Sequence, residues 1–239
     1  MFAPNATQAI LFDLDGTLRH TQPNGGEVFV EQARALGLRI SEEDRLLGIR
    51  WEHYYWANSI DLRKDFATYP ESEPGFWVNY SRRQLVALGA HPTHAAELAP
   101  VLSAHMDKNF KPLGVLDGDA FEVLTQLKGA GYRLGVVSNR EKPFHGDLES
   151  LGIQSFFDLS LAAGEVKSYK PDPGIFQIAL GRMGIPAEAA VYVGDNYFAD
   201  VVGSRRAGLR PVLYDPRGIF PDADCEVIES FGEFLNLLK

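Results

Sequence analysis

Asp13, Asp15 and Thr17, in the run ILFDLDGTL, place two carboxylates and a hydroxyl within a few positions of one another. The residues before them, Ala9-Ile10-Leu11-Phe12, form a short, unbroken apolar run, the pattern of a parallel strand buried on both faces. Asp13 therefore stands where that strand ends. Gly16 permits a backbone turn that a residue with a Cβ resists. Open α/β sheets collect their ligands at the carboxyl ends of strands. Two acids this close repel each other when both are ionised, and a cation or a shared proton relieves them. Mg²⁺, hard and oxygen-seeking, suits such a set. Asp and Gly are also ordinary turn residues. What sets this pair apart is the apolar strand in front of it and the matching segments further along.

Ser138 and Asn139 follow the apolar stretch Leu134-Gly135-Val136-Val137, so a hydroxyl and adjacent backbone N–H groups lie at a second strand end, an arrangement suited to an anion. In Lys170-Pro171-Asp172-Pro173 the Asp reads as a helix N-cap and Pro173 as the first helical residue, which fixes the chain just after Lys170. A lysine held this way can act as a fixed counter-charge, and the same position also suits a solvated helix-entry lysine, as Lys167 would be. Val191-Tyr192-Val193-Gly194-Asp195 repeats the opening theme, an apolar strand ending in a carboxylate, and Asp200 lies five residues on. Four acids aimed at one end of a sheet are costly to bury without a cation. A metal site is the expectation.

The elements that must position these residues alternate between helix and strand after Gly118. Helical spacing of Ala120, Phe121, Leu124 and Leu127 is followed by expected strands over Tyr132 to Val137, near Leu159 to Leu161, and over Ala190 to Val193, Pro211 to Tyr214 and Glu226 to Ile228. Helices are expected from Pro173, from about Phe198 to Ala207, and near Phe231 to Leu238. Between Arg19 and Lys111 the pattern predicts helices only, among them one starting near Glu42 behind Ser41 with Leu46, Leu47 and Trp51 on its apolar side. A linker is expected over roughly Tyr69 to Gly75. This block holds Trp51, Trp56 and Trp77 with Tyr54, Tyr55 and Tyr80, the filling of a small helical bundle. It is too long for an ordinary connection. The expected division is a core of residues 1–22 and 112–239, a doubly wound (Rossmann-like) parallel α/β sheet, with an inserted all-helical cap over residues 23–111.

Taken together and in order, these four segments resemble the four motifs of the haloacid dehalogenase superfamily, and the helical insert between the first and second resembles that family's C1-type cap, as in the phosphoglycolate phosphatase-like members. The resemblance implies an aspartate-nucleophile phosphatase. Asp13 would attack phosphorus to give an aspartyl-phosphate, and Asp15 would protonate the leaving oxygen and then activate water. Thr17, Ser138 and Asn139 would hold phosphoryl oxygens, and Lys170 would offset charge on Asp13 and the phosphate. Mg²⁺ would be bound by Asp13, the backbone carbonyl of Asp15 and Asp195, with Asp200 orienting Lys170 or a metal-bound water. Dehalogenases of this family lack the second Asp, so Asp15 argues against that activity. The implied substrate is a small phosphorylated metabolite, chosen by a mobile cap. A sugar-phosphate phosphomutase would use the same residues, and a non-catalytic binding protein could retain the fold.

With 239 residues the chain can bury a sizeable core, and its formal net charge of -9 argues against nucleic-acid binding through a general basic surface. The single cysteine excludes an internal disulfide. No run approaches the ~18 apolar residues of a membrane span, and no basic segment with an apolar run and cleavage site opens the chain. A cytoplasmic location without membrane attachment is the expectation, with monomer and homodimer both open.

Overall fold

A computed structural model describes residues 7–69 and 73–238, so the linker expected around Tyr69 to Gly75 lies partly outside the described residues. The chain divides into two compact units, one of them Thr21–Leu113 and the other formed by the segments on either side of it.

The larger unit is built on a six-stranded parallel sheet whose strands run, edge to edge, Leu159–Ala162, Arg133–Ser138, Ala9–Phe12, Ala190–Gly194, Arg210–Tyr214 and Glu226–Ile228. The strands are β1 (Ala9–Phe12), β4 (Arg133–Ser138), β5 (Leu159–Ala162), β6 (Ala190–Gly194), β7 (Arg210–Tyr214) and β8 (Glu226–Ile228). All four residues of β1 are fully buried, as an apolar run without polar alternation requires of a central strand. Successive side chains point to opposite faces. Ile10 and Phe12 join the apolar layer of Leu124, Leu127, Phe231 and Phe234, whereas Ala9 and Leu11 join that of Ile175, Phe176, Ala179 and Met183. Those layers come from the helices α6 (Ala120–Gly129) and α11 (Phe231–Leu237) on one face and α9 (Pro173–Met183) on the other. Helices on both faces make the sheet doubly wound. From β1 the chain runs outward through β4 and β5, then returns beside β1 at β6 and runs outward the other way. That reversal is where open α/β sheets bind ligands.

A separate two-stranded sheet pairs β2 (Arg19–Gln22) with β3 (Leu113–Leu116) and carries both passages of the chain between the units. The expectation of no strand after Arg19 is corrected here. Arg19-His20-Thr21-Gln22 shows no apolar alternation because it is a short, only partly buried ribbon with no core to face.

The smaller unit is helical: α1 (Gly25–Ala35), α2 (Glu42–Trp56), α3 (Ile60–Thr68), α4 (Pro74–Ala87) and α5 (Pro92–Asn109). The Ser41 and Asp44 capping box is present, each side chain meeting the other's backbone N–H. The apolar side expected for α2 holds at Trp51, which packs against the Tyr55 and Tyr80 rings, and fails at Leu47. Leu47 is 49% exposed, and Gly48, His53 and Tyr55 are buried instead. The reason is a close helix approach: a Cβ on Gly48 would lie 2.5 Å from Leu88. Trp51, Tyr55, Trp56, Trp77 and Tyr80 are linked by a chain of ring contacts, but Tyr54 and Trp77 are more than two-fifths exposed, so the expectation that all six aromatics fill the bundle is corrected for these two. Tyr55 is fully buried and donates its hydroxyl hydrogen bond to Asp65, which is paired with Arg83. Among the described residues no helix is long and apolar enough to cross a membrane.

Candidate active site

The register of the three central strands brings the chemistry together. Phe12 is level with Val136 of β4 and with Val193 of β6. The next residues beyond that level are Asp13, the Val137–Ser138 pair and the Gly194–Asp195 pair. Asp13 donates its backbone N–H to the Val193 carbonyl, which extends the ladder one step and fixes the carboxylate at the strand end.

Lys170 enters this point from the segment before α9. Asp172 caps that helix by accepting from the Gly174 N–H, with Pro173 in its first turn, as its sequence requires. The Lys170 ammonium is buried and donates three hydrogen bonds, to Asp13 Oδ1 at 2.6 Å, Asp200 Oδ1 at 2.7 Å and the Tyr192 hydroxyl at 3.0 Å. These account for all its donors. Burial disfavours the charged lysine, but Asp13 and Asp200 outweigh it and hold its pKa well above the usual lysine value. Asn139 grips the lysine's main chain at two points: its amide oxygen accepts from the Lys170 N–H at 2.6 Å, and its amide nitrogen donates to the Lys170 carbonyl at 2.9 Å. The Asn139 amide therefore serves Lys170. Ser138 is buried at the end of β4.

Asp195 is fixed by Thr17. The threonine hydroxyl donates to Asp195 Oδ1 and accepts from the Asp195 N–H, both at 3.0 Å. Thr17 has no exposed surface. Gly16, at φ +91°, makes room for this carboxylate, since a Cβ there would come within 2.4 Å of Asp195 Oδ2. Gly194 does the same for Asp200, whose Oδ2 accepts from the Asn196 N–H.

Burial is the main cause that pushes Asp13 up to about 7, with Lys170 pulling the other way and Asp200 and Asp15 adding to the rise. Asp195 is likewise pushed up to about 7, by burial and then by the Asp13 charge. Asp200 moves in the same direction. One ammonium thus faces three acids, and Asp13, Asp195 and Asp200 each offer an oxygen within 4.8 Å of the others. The excess negative charge and the all-oxygen donor set fit a divalent cation.

A family model for haloacid dehalogenase-like hydrolases matches residues 7–208, nearly the whole chain. The chain belongs to the haloacid dehalogenase-like hydrolases. Among this hydrolase's relatives, a glyceraldehyde 3-phosphate phosphatase of Methanothermobacter thermautotrophicus is 42% identical, covering 94% of this chain and 92% of its own. A phosphoserine phosphatase of Thermus thermophilus is 32% identical over 89% and 90%. The fold is shared with the crystal structure of a predicted phosphoglycolate phosphatase from Haemophilus somnus, with a TM-score of 0.60, 21% identity and coverage of 98% and 99%.

The carboxylate of Asp15 takes a different course from the other acids of this hydrolase. It is 42% exposed and turns to Arg140 and Arg19, so the third carboxyl group beside Asp13 and Asp195 is that of Asp200. Neither Arg140 nor Tyr192 is marked in the sequence as part of this site. Arg140 follows Asn139 with no periodic signal, and Tyr192 reads as one more core residue in an apolar strand. Yet the Tyr192 hydroxyl accepts from Lys170 and donates to the Val137 carbonyl at 2.8 Å, tying the lysine to the end of β4.

Proposed function

We propose that this hydrolase is a Mg²⁺-dependent phosphatase that hydrolyses small phosphorylated metabolites through an aspartyl-phosphate on Asp13. The observation that carries the reading is the buried Asp13 carboxylate, held by the Lys170 ammonium beside two further acids at the carboxyl edge of the central strand. A carboxylate held at one point by a fixed cation is a positioned nucleophile. An Asp13 oxygen bonds to phosphorus as the bond to the ester oxygen breaks, and Asp15 supplies the proton to the leaving alcohol. Water then bonds to the same phosphorus, Asp15 takes its proton, and the acyl-phosphate bond breaks to return Asp13 and release phosphate. Lys170 offsets the charge gathered on Asp13 and the phosphoryl group, and Ser138 offers a hydroxyl to a phosphoryl oxygen. Asp13 and Asp195, with the Asp15 carbonyl, would hold Mg²⁺, which when bound neutralises phosphoryl charge.

Asp15 favours ester hydrolysis over dehalogenation, because a halide leaves without a proton whereas an alkoxide needs one. The names of the two phosphatase relatives, both acting on small phosphate esters, support the same substrate class. Each of these residues acts at the phosphoryl group, its metal or the scissile oxygen, so the remainder of the substrate is recognised by other residues.

Turnover of p-nitrophenyl phosphate with added Mg²⁺, abolished by excess EDTA and restored by more Mg²⁺, is the expected result. Full turnover in EDTA contradicts the metal-dependent reading, and no phosphate release from any of a panel of phosphorylated metabolites contradicts the enzyme.

A further inference from the structure

Asp15 stands outside the close group formed by Asp13, Asp195 and Asp200 but near enough for its charge to act on Asp13, and it is held firmly. The Arg140 guanidinium binds it as a fork, Nε to Oδ2 at 2.7 Å and Nη2 to Oδ1 at 2.8 Å, while Arg19 Nη1 reaches Oδ1 at 2.9 Å. Bidentate, charge-assisted pairs of this kind fix orientation as well as position. The fork is itself anchored. Arg140 Nη1 donates to Asp147 Oδ2 at 2.6 Å, and its guanidinium lies over the Phe144 ring at 5.8 Å. Its carbonyl accepts from the Gly164 N–H at 3.1 Å, on a backbone approach so close that a Cβ at 164 would fall 1.9 Å from the Glu141 carbonyl oxygen. Side chain and main chain of Arg140 are both set before any substrate arrives.

We propose that Arg140 is a positioning residue that holds Asp15 as the general base for breakdown of the aspartyl-phosphate. This rests on the acid and base role given to Asp15 above. A carboxylate has about four lone-pair sites. Two bonds fall on Oδ1 and one on Oδ2, so Oδ2 keeps a lone pair that can take the proton of the attacking water without release of the fork. Arg140 reaches the reaction only through Asp15. Its effect is therefore confined to steps in which Asp15 takes part.

The test is steady-state kinetics of the full chain with Mg²⁺ and p-nitrophenyl phosphate, whose leaving group needs little acid help. Under these conditions kcat/KM reports only the steps through release of p-nitrophenol, and phospho-enzyme breakdown enters kcat alone. In Arg140→Ala, kcat is expected to fall by about tenfold or more, with KM falling in proportion so that kcat/KM is unchanged. Acid quenching should then find a larger fraction of the enzyme phosphorylated. Arg140→Lys, which keeps the charge without the fork, should recover part of the rate, and it is the fallback should the alanine variant fail to fold by circular dichroism. Asp15→Asn with Arg140→Ala should turn over no more slowly than Asp15→Asn alone, since contacts acting through one group are not additive. Unchanged kcat in both Arg140 variants, equal falls in kcat and kcat/KM, or a full Arg140 effect persisting in the Asp15→Asn background would each overturn the proposal. Wild-type turnover by Asp15→Asn itself would instead overturn the role of Asp15.

Discussion

The Lys170 ammonium lies between Asp13 and Asp200, 2.6 Å from one carboxylate and 2.7 Å from the other, with all three groups buried. A single cation bridging two acids out of water cannot be removed without leaving charge uncompensated.

Lys170→Met should therefore cost about 3 kcal/mol or more of stability at pH 8, the scale found when one partner of a buried pair is lost. Without the lysine, Asp13 and Asp200 are raised further still, and protons take its place as the pH falls. The stability loss should shrink toward pH 5. Chemical denaturation of wild type and variant at both pH values measures it, and a loss equal at both would show that the ammonium does not compensate these acids.

The pH dependence of the metal-free protein follows from the same acids. Asp13 and Asp195 move from 3.8 to about 7 on folding, so the folded chain holds protons that the unfolded chain has released. Their contribution is complete below about 4 and is lost as pH rises through about 7. The melting temperature in EDTA should fall over that window. Mg²⁺ competes with the same protons, so it should raise the melting temperature more at pH 8 than at pH 5.5. Equal stabilisation at the two pH values would remove these carboxylates as the binding groups.

Gly16→Ala tests the cradle around Asp195. The new Cβ would meet the carboxylate at 2.4 Å, and the residue would have to hold φ +91°, which L side chains resist. The expected result is a higher Mg²⁺ concentration for half-maximal activity, by about tenfold, in a protein that remains folded. An unchanged Mg²⁺ requirement would show that Asp195 can be displaced without consequence.

Much of this arrangement was legible in the chain. Each of Asp13, Ser138 and Asp195 follows a short apolar run that reads as an inner strand, and it is the repetition of that pattern, not any one run, that points to their convergence at one sheet edge. The cap and proline after Lys170 mark a helix start, but its part as a counter-charge to Asp13 came only with the family resemblance, since a solvated helix-entry lysine reads the same way. Arg140 was not legible, because a guanidinium that reaches across space to Asp15 leaves no mark in spacing. Tyr192 was hidden by its own strand, where an aromatic among valines looks like packing. The same limit applies to α2: Leu47 and Trp51 stand at helical spacing, but the tight approach at Gly48 to Leu88 leaves Leu47 exposed.

Everything proposed for this site requires that Asp13 become phosphorylated. Wild-type enzyme turning over a phosphate ester should be acid-quenched, digested and analysed by mass spectrometry, alongside Asp13→Asn. A phosphoryl group is expected on the Asp13 carboxylate in the wild type, with neither adduct nor turnover in a folded Asp13→Asn protein. Sustained turnover by Asp13→Asn, or a phosphoryl group on another side chain with none on Asp13, would contradict this role of Asp13.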